Sequence, residues 1–110
     1  HMQIMLDLYI GVDQDVELAK NIVEEATTTS RFVYLPNPVE VLVSQELMAN
    51  IVAIRLRMKA YVLDTKYEKA FASDVTTRVL KAFAEHGIKP PAVIQRQLKE
   101  EDDEVAASLV

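Results

Sequence analysis

The run from Ile51 to Val62 alternates without a break: Val52, Ile54, Leu56, Met58, Ala60 and Val62 hold one parity, and Ile51, Ala53, Arg55, Arg57, Lys59 and Tyr61 the other. Only a β-strand separates residues two apart onto one face, whereas a helix would distribute these cations all round its surface. The chain must therefore build a sheet, place strands beside this one, and cover one face while leaving the charged face open.

The flanking segments supply those parts. Ile4, Leu6, Leu8, Ile10 and Val12 alternate with Met5, Asp7, Tyr9 and Gly11, which predicts a strand over Ile4 to Val12. Asp13 is suited to an N-cap, and Val16, Ala19, Ile22, Val23 and Ala26 recur at helical spacing, which predicts a helix over Gln14 to Ala26. The polar, β-branched run Thr27-Thr28-Thr29-Ser30 is expected to end it. Pro36 and Pro38 hold the Arg31 to Asn37 connection extended. A further strand is expected from Val39, with Val41 and Val43 on its apolar face and a hairpin turn over Glu46 to Asn50.

After the alternating run, Thr65-Lys66-Tyr67-Glu68 fits a capping box and predicts a helix over Lys66 to His86, with Ala72, Val75, Val79, Ala82 and Phe83 as its buried stripe. Gly87 stands where a left-handed C-cap needs a residue without Cβ, and Pro90-Pro91 forbids continuation. Val93 to Leu98 is expected as a last short strand, and the acidic stretch from Lys99 onward as a solvated, disordered tail. The order βαββαβ implies an α+β, ferredoxin-like two-layer sandwich with both helices on one face of a mixed sheet. At 110 residues a single domain is expected, over residues 3–98, and His1-Met2 reads as an expression-tag remnant.

Composition narrows the chemistry. The chain has no cysteine, which excludes thiol catalysis, disulfides and thiolate metal sites. Its net charge of -5 has the wrong sign for a domain that binds by neutralising phosphates. Two glycines, Gly11 and Gly87, do not make a phosphate-cradling loop. Apart from His1 the one histidine is His86, expected at a helix C-terminus, and Ser30, Ser44 and Ser73 lack the setting of an activated nucleophile. The Glu100 to Glu104 run lacks the turn of a calcium loop. These residues predict no enzyme, no cofactor and no metal, and no apolar run is long enough to span a membrane.

The informative surface is the open sheet face: Met5, Asp7, Tyr9, Glu40, Leu42, Ser44, Arg55, Arg57, Lys59 and Tyr61. An RNA-binding sheet of this topology stacks bases on aromatics of its central strands, and here cations stand in those places, so nucleic acid is not expected as a partner. A merely solvated face is one reading. The favoured one is a protein interface with Tyr9, Leu42, Arg55, Arg57, Lys59 and Tyr61 as its candidate residues, because Arg and Tyr anchor interfaces and apolar groups share the face.

Leu8-Tyr9-Ile10-Gly11-Val12-Asp13 running into Gln14 to Ala19, Leu35-Pro36-Asn37-Pro38 before Val39-Glu40-Val41, Ile54-Arg55-Leu56-Arg57, and Lys81 to Ile88 followed by proline together resemble the cytoplasmic C-terminal domain of the small-conductance mechanosensitive channel family. The resemblance spans about Ile4 to Pro91. It implies a homo-oligomeric membrane channel, a ring of seven in the best-known members, whose soluble domains form a solute-filtering vestibule at the cytoplasmic face of the membrane. The family's pore helices and middle β domain would precede Gln3. One departure stands out: Pro91 takes the first position of the family's Pro-Phe-Pro motif, and Ala92 and Val93 replace the other two residues. A ferredoxin-like domain that senses a small molecule near the end of its first strand is the alternative, with Gly11 as its support.

Overall fold

A computed structural model describes residues 1–92. Its elements are β1 (Met2–Ile10), α1 (Val16–Thr28), β2 (Glu40–Met48), β3 (Ile51–Val62), a 3-10 turn at Thr65–Tyr67 and α2 (Glu68–Glu85). The fold is α+β, with a three-stranded antiparallel sheet in the order β1-β3-β2. The expected strand at Val93 to Leu98 and the tail after it lie outside the described residues.

β3 occupies the bounds its alternation predicts and pairs on both sides, Met2↔Val62 through Ile10↔Ile54 with β1 and Glu40↔Lys59 through Met48↔Ile51 with β2. Before β2 begins, the connector takes its place: Val33 bridges to Val62, and the Tyr34 amide donates to the Tyr61 carbonyl at 2.7 Å. The core forms on the even side of β3. Leu56, Met58, Ala60 and Val62 meet Ile4, Leu8 and Ile10 of β1, Val41 of β2, Ala19, Ile22, Val23 and Ala26 of α1, and Phe71, Val75, Val79 and Phe83 of α2. The stripe of α2 thus includes Phe71, while Ala72 and Ala82 are half-buried at its margins.

Several boundaries differ from the sequence reading, each for a local reason. β1 ends at Ile10, because the Gly11 amide turns to the Lys89 carbonyl at 3.0 Å; Val12 is left 52% exposed. The N-cap of α1 is Asp15, whose Oδ1 accepts from the Leu18 amide at 3.0 Å, while Asp13 accepts from the Gln14 side chain. α1 does end inside the threonine run, at Thr28, two residues beyond Ala26. Thr27, Thr28 and Thr29 donate their hydroxyls back to the carbonyls of Val23, Glu24 and Glu25 one turn earlier, the back-bonding that lets hydroxyl residues sit in the last turn of a helix. At the start of the last helical segment, Asp64 rather than Thr65 provides the cap, accepting from the Lys66 amide and the Thr65 hydroxyl.

The two helices are tied where α1 ends. Arg78 of α2 donates to the Ala26 carbonyl at 2.7 Å and to the Thr29 hydroxyl, and Ser30 donates to Asp74 at 2.7 Å. A cation at a helix C-terminus complements the partial negative charge there. The end of α2 is a Schellman motif: Gly87 takes φ 70°, the Ile88 amide reaches the Phe83 carbonyl at 2.9 Å, and both side chains enter the core.

The largest departure concerns the hairpin. Glu46 to Asn50 is not a broad turn, since β2 runs on to Met48 and the loop is Ala49-Asn50 alone, with Ala49 at φ 54°. The helical layer ends before the hairpin does. Val43, expected in the core, is 43% exposed, and Leu47 on the same side of β2 is 70% exposed.

Leu56→Ala is therefore expected to cost about 3 kcal/mol, as for a sealed core leucine, while Leu47→Ala stays within about 0.5 kcal/mol; urea unfolding measures both. Ala49→Gly is expected to raise stability by roughly 0.5–1 kcal/mol in the same assay, because glycine holds a positive φ without the Cβ strain.

Candidate functional site

On the odd side of β3 no helix of the described residues intervenes, and the register sets cross-strand rows. Met5, Lys59 and Glu40 form one, then Asp7, Arg57 and Leu42, then Tyr9, Arg55 and Ser44, with Ala53 opposite Glu46 at the distal end and Gln3 opposite Tyr61 at the other. All six candidate interface residues lie in this array: Arg55, Arg57, Lys59 and Tyr61 line β3, Tyr9 stands beside Arg55, and Leu42 beside Arg57. Met5, Tyr9 and Leu42 are exposed.

Each guanidinium on the face has a carboxylate. Arg57 grips Asp7 as a fork, Nε to Oδ1 at 2.8 Å and a terminal nitrogen to Oδ2 at 3.0 Å. That hydrogen bonding from Arg57, reinforced by its charge and that of Arg55, holds the Asp7 carboxyl below the usual carboxylate range despite the opposing effect of burial. The same bond holds the proton on Arg57 more firmly. Arg55 reaches Glu46 at 3.1 Å, and Ser44 donates to the same carboxylate oxygen at 3.0 Å. The Nε of Arg55 is buried and has no hydrogen-bond partner among the described residues.

The result is a face whose central strand is basic and whose flanking strands carry the matching acids. Two-point Arg–carboxylate pairing fixes side-chain direction as well as charge. Such a surface offers a neutral, ordered pattern with apolar groups at Met5, Tyr9 and Leu42, and each guanidinium is held by a carboxylate of the same chain. The sequence shows the stripe of cations, but the pairing partners follow only from the register.

The polar residues considered for catalysis are separated. Ser30 bonds to Asp74, Ser44 to Glu46, and His86 Nδ1 lies 2.9 Å from the Ala82 carbonyl one turn back. Among the described residues no group of three His, Asp or Glu side chains is placed to hold a metal ion. Nor is any helix among them long and apolar enough to cross a membrane.

A second surface escaped the sequence reading. Phe32, Val33, Tyr34, Leu63 and Tyr67, with Arg31 at the rim, line a cleft of about 420 Å³ at the Val62 end of β3. Arg31 lies over the Phe32 ring at 4.9 Å and Lys66 over the Tyr67 ring at 5.1 Å. The ring of His1 stacks on Tyr34 at the same end, 5.1 Å between centroids. Three aromatics within or just beyond two connectors were the available signal. A second groove, about 350 Å³, runs between α1 and α2 past Ile22, Glu25, Arg78, Lys81 and His86.

Compared with known proteins, the chain matches no family model and no curated protein.

The Asp7–Arg57 fork carries a pH signature. With the folded-state pKa of Asp7 below its ordinary 3.8, the stability the carboxylate contributes is present above that value and is lost as pH falls through the depressed one. Wild type is thus expected to exceed Asp7→Asn in stability at neutral pH, with the gap closing in acid. Denaturant unfolding of both proteins along a pH series checks this.

Proposed function

We propose that this chain is the vestibule domain of a mechanosensitive ion channel, lying at the cytoplasmic face of the membrane and contributing to subunit assembly and to the solute filter beneath the pore. The observation that carries the reading is the junction of two segments that bear the family resemblance. Gly11, in the segment Leu8 to Ala19, donates its amide to the carbonyl of Lys89, directly after the segment Lys81 to Ile88; the Lys89 amide in turn donates to Gln14 Oε1 at 2.8 Å. These stretches are far apart in sequence and act as one structural unit. A Cβ at Gly11 would stand 2.9 Å from Asp13 Oδ1, the movable end of a side chain, and at ordinary contact distance, 3.4 Å, from the Pro90 carbonyl oxygen, so the two segments pack closely at this point.

The same junction supports the ferredoxin-like βαββαβ arrangement. It delivers the chain after α2 to the end of β1, whose outer edge is unpaired among the described residues, and a final strand there would complete the order around β1-β3-β2. It also counts against the small-molecule sensor, because Lys89 and Pro90 fill the space beside Gly11 that a ligand at the end of β1 would use.

The open sheet face is the proposed subunit contact. Its charges are matched internally, so a neighbour meets an ordered, near-neutral surface with exposed Met5, Tyr9 and Leu42. In a closed ring the contact is heterologous, one patch meeting a different one on the next subunit. Detached from the membrane, the domain loses the effective concentration that tethering supplies and is expected to associate weakly.

The double variant Tyr9→Ser with Leu42→Ser is expected to leave the isolated chain folded, while in the full-length protein it shifts the gating threshold in patch-clamp recordings and lowers crosslinking between subunits. Wild-type gating and crosslinking in that variant would count against the interface. A full-length gene encoding no membrane spans would overturn the channel reading itself.

A further inference from the structure

Of the four arginines among the described residues, Arg55, Arg57 and Arg78 lie against carboxylates of the same chain, at Glu46, Asp7 and Asp74. Arg31 does not. Its guanidinium lies over the Phe32 ring at the rim of the cleft formed by Phe32, Val33, Tyr34, Leu63 and Tyr67. Lys66, which also makes no salt bridge among the described residues, lies over the Tyr67 ring beside it. The neighbouring carboxylate of Asp64 is turned to its own cap, accepting from the Lys66 amide and the Thr65 hydroxyl. An apolar, aromatic cleft with unmatched cations at its rim and Leu63 63% exposed fits a segment that is both acidic and apolar.

The chain carries such a segment beyond the described residues. The acidic run Glu100-Glu101-Asp102-Asp103-Glu104 leads directly into Val105-Ala106-Ala107-Ser108-Leu109. The anchoring of Pro90 sets how far that segment reaches. Through the Gly11 amide and the Lys89 carbonyl, Pro90 is held at the Ile10 end of β1, and the cleft lies at the other end of the sheet, where Val62 pairs with Met2. From Ile10 to Met2 is about 27 Å at the usual rise per strand residue, and crossing two strand spacings adds about 10 Å. The chain from Pro90 spans at most about 46 Å by Glu104 and about 50 Å by Val105. The end of the acidic run can therefore stand at the Arg31 and Lys66 rim, with the apolar residues that follow it at the cleft.

We propose that the segment Glu100 to Leu109 docks on the aromatic cleft of its own chain, its carboxylates toward Arg31 and Lys66, and Val105 and Leu109 against Phe32, Leu63 and Tyr67. The occupant is this segment because it joins acid to apolar residues in the order the rim and cleft require, and because its tether spans the distance. Tethering also supplies a local concentration in the millimolar range, so a contact of a few exposed charges and two aliphatic side chains suffices. Its ionic part is between solvent-exposed groups and weakens as salt rises. A docked segment keeps other ligands from the cleft, and its release uncovers the aromatic surface, which makes the cleft a self-capped site. The inference goes beyond the channel reading and needs neither a pore nor a second copy.

The chain has no cysteine, so Ser108→Cys provides a single attachment point for a nitroxide on the whole protein. In nitrogen-15-labelled protein, the amides of Phe32, Tyr34, Leu63 and Tyr67 are expected to lose signal in the paramagnetic state and regain it on reduction, while those of Met48 and Glu85 change little. Adding Arg31→Gln and Lys66→Gln, both at exposed positions, is expected to restore the cleft signals, with circular dichroism verifying that the fold is kept. Signal loss spread evenly over exposed amides, as for a solvated tail, would overturn the docking, and so would loss centred on the open sheet face at Met5 and Leu42. Cleft signals equally weak with and without the two cations would overturn it too. A last mixture combines isotope-labelled chains that lack the nitroxide with spin-labelled chains that lack the isotope. Equal signal loss there in dilute solution would move the segment onto a second copy and overturn the contact within one chain. None of these readouts involves gating, so their failure would leave the channel reading to electrophysiology, and the reverse holds as well.

Discussion

Everything in this fold depends on the register of β3. It lies between two antiparallel neighbours, so its backbone groups are engaged on both sides, and its alternation then assigns each residue to the core or to the open face. A slip by one residue would drive Arg55, Arg57 and Lys59 into the layer occupied by Leu56, Met58 and Ala60, at several kcal/mol for each buried, unpaired charge. The Asp7–Arg57 fork on one side and the Glu46–Arg55 pair on the other are made only in the observed register, so the charged face reinforces what the core dictates.

Features that depend on one segment were legible in the sequence. The bounds of β3, the stripe Val75, Val79 and Phe83, and the left-handed cap at Gly87 each follow from periodicity or from one residue's stereochemistry. The membership of the open face also follows from parity alone. What failed were features decided by distant partners. Asp15 rather than Asp13 caps α1, where Gln14 is engaged by Lys89, and the helix runs two residues into the threonine run before it ends there. Val43 and Leu47 have the pattern of core residues but stay exposed beyond the described helices, and local sequence does not encode how far a helical layer extends. The aromatic cleft was illegible for the same reason, since it joins the Arg31 to Tyr34 connector to Leu63 and Tyr67 from beyond β3.

The fold is thus asymmetric along β3. Its proximal half is sealed by helices on one side and ordered by ion pairs on the other, and among the described residues its distal half leaves Leu47 and Met48 exposed on opposite faces of the hairpin. Beside that hairpin lies an ordered, internally compensated sheet face that carries direction without strong charge. Those properties suit a subunit whose contacts are individually weak and whose assembly is held by tethering, as the proposed vestibule role requires.

Amide hydrogen exchange in dilute solution tests this division most directly, because it reports the free energy of opening residue by residue. Amides of β3 from Leu56 to Val62 are expected to exchange only through global unfolding, while those from Leu47 to Val52 exchange through a far cheaper local opening of the hairpin. Equal protection along the whole of β3 would contradict the picture of a sealed proximal sheet carrying an exposed hairpin.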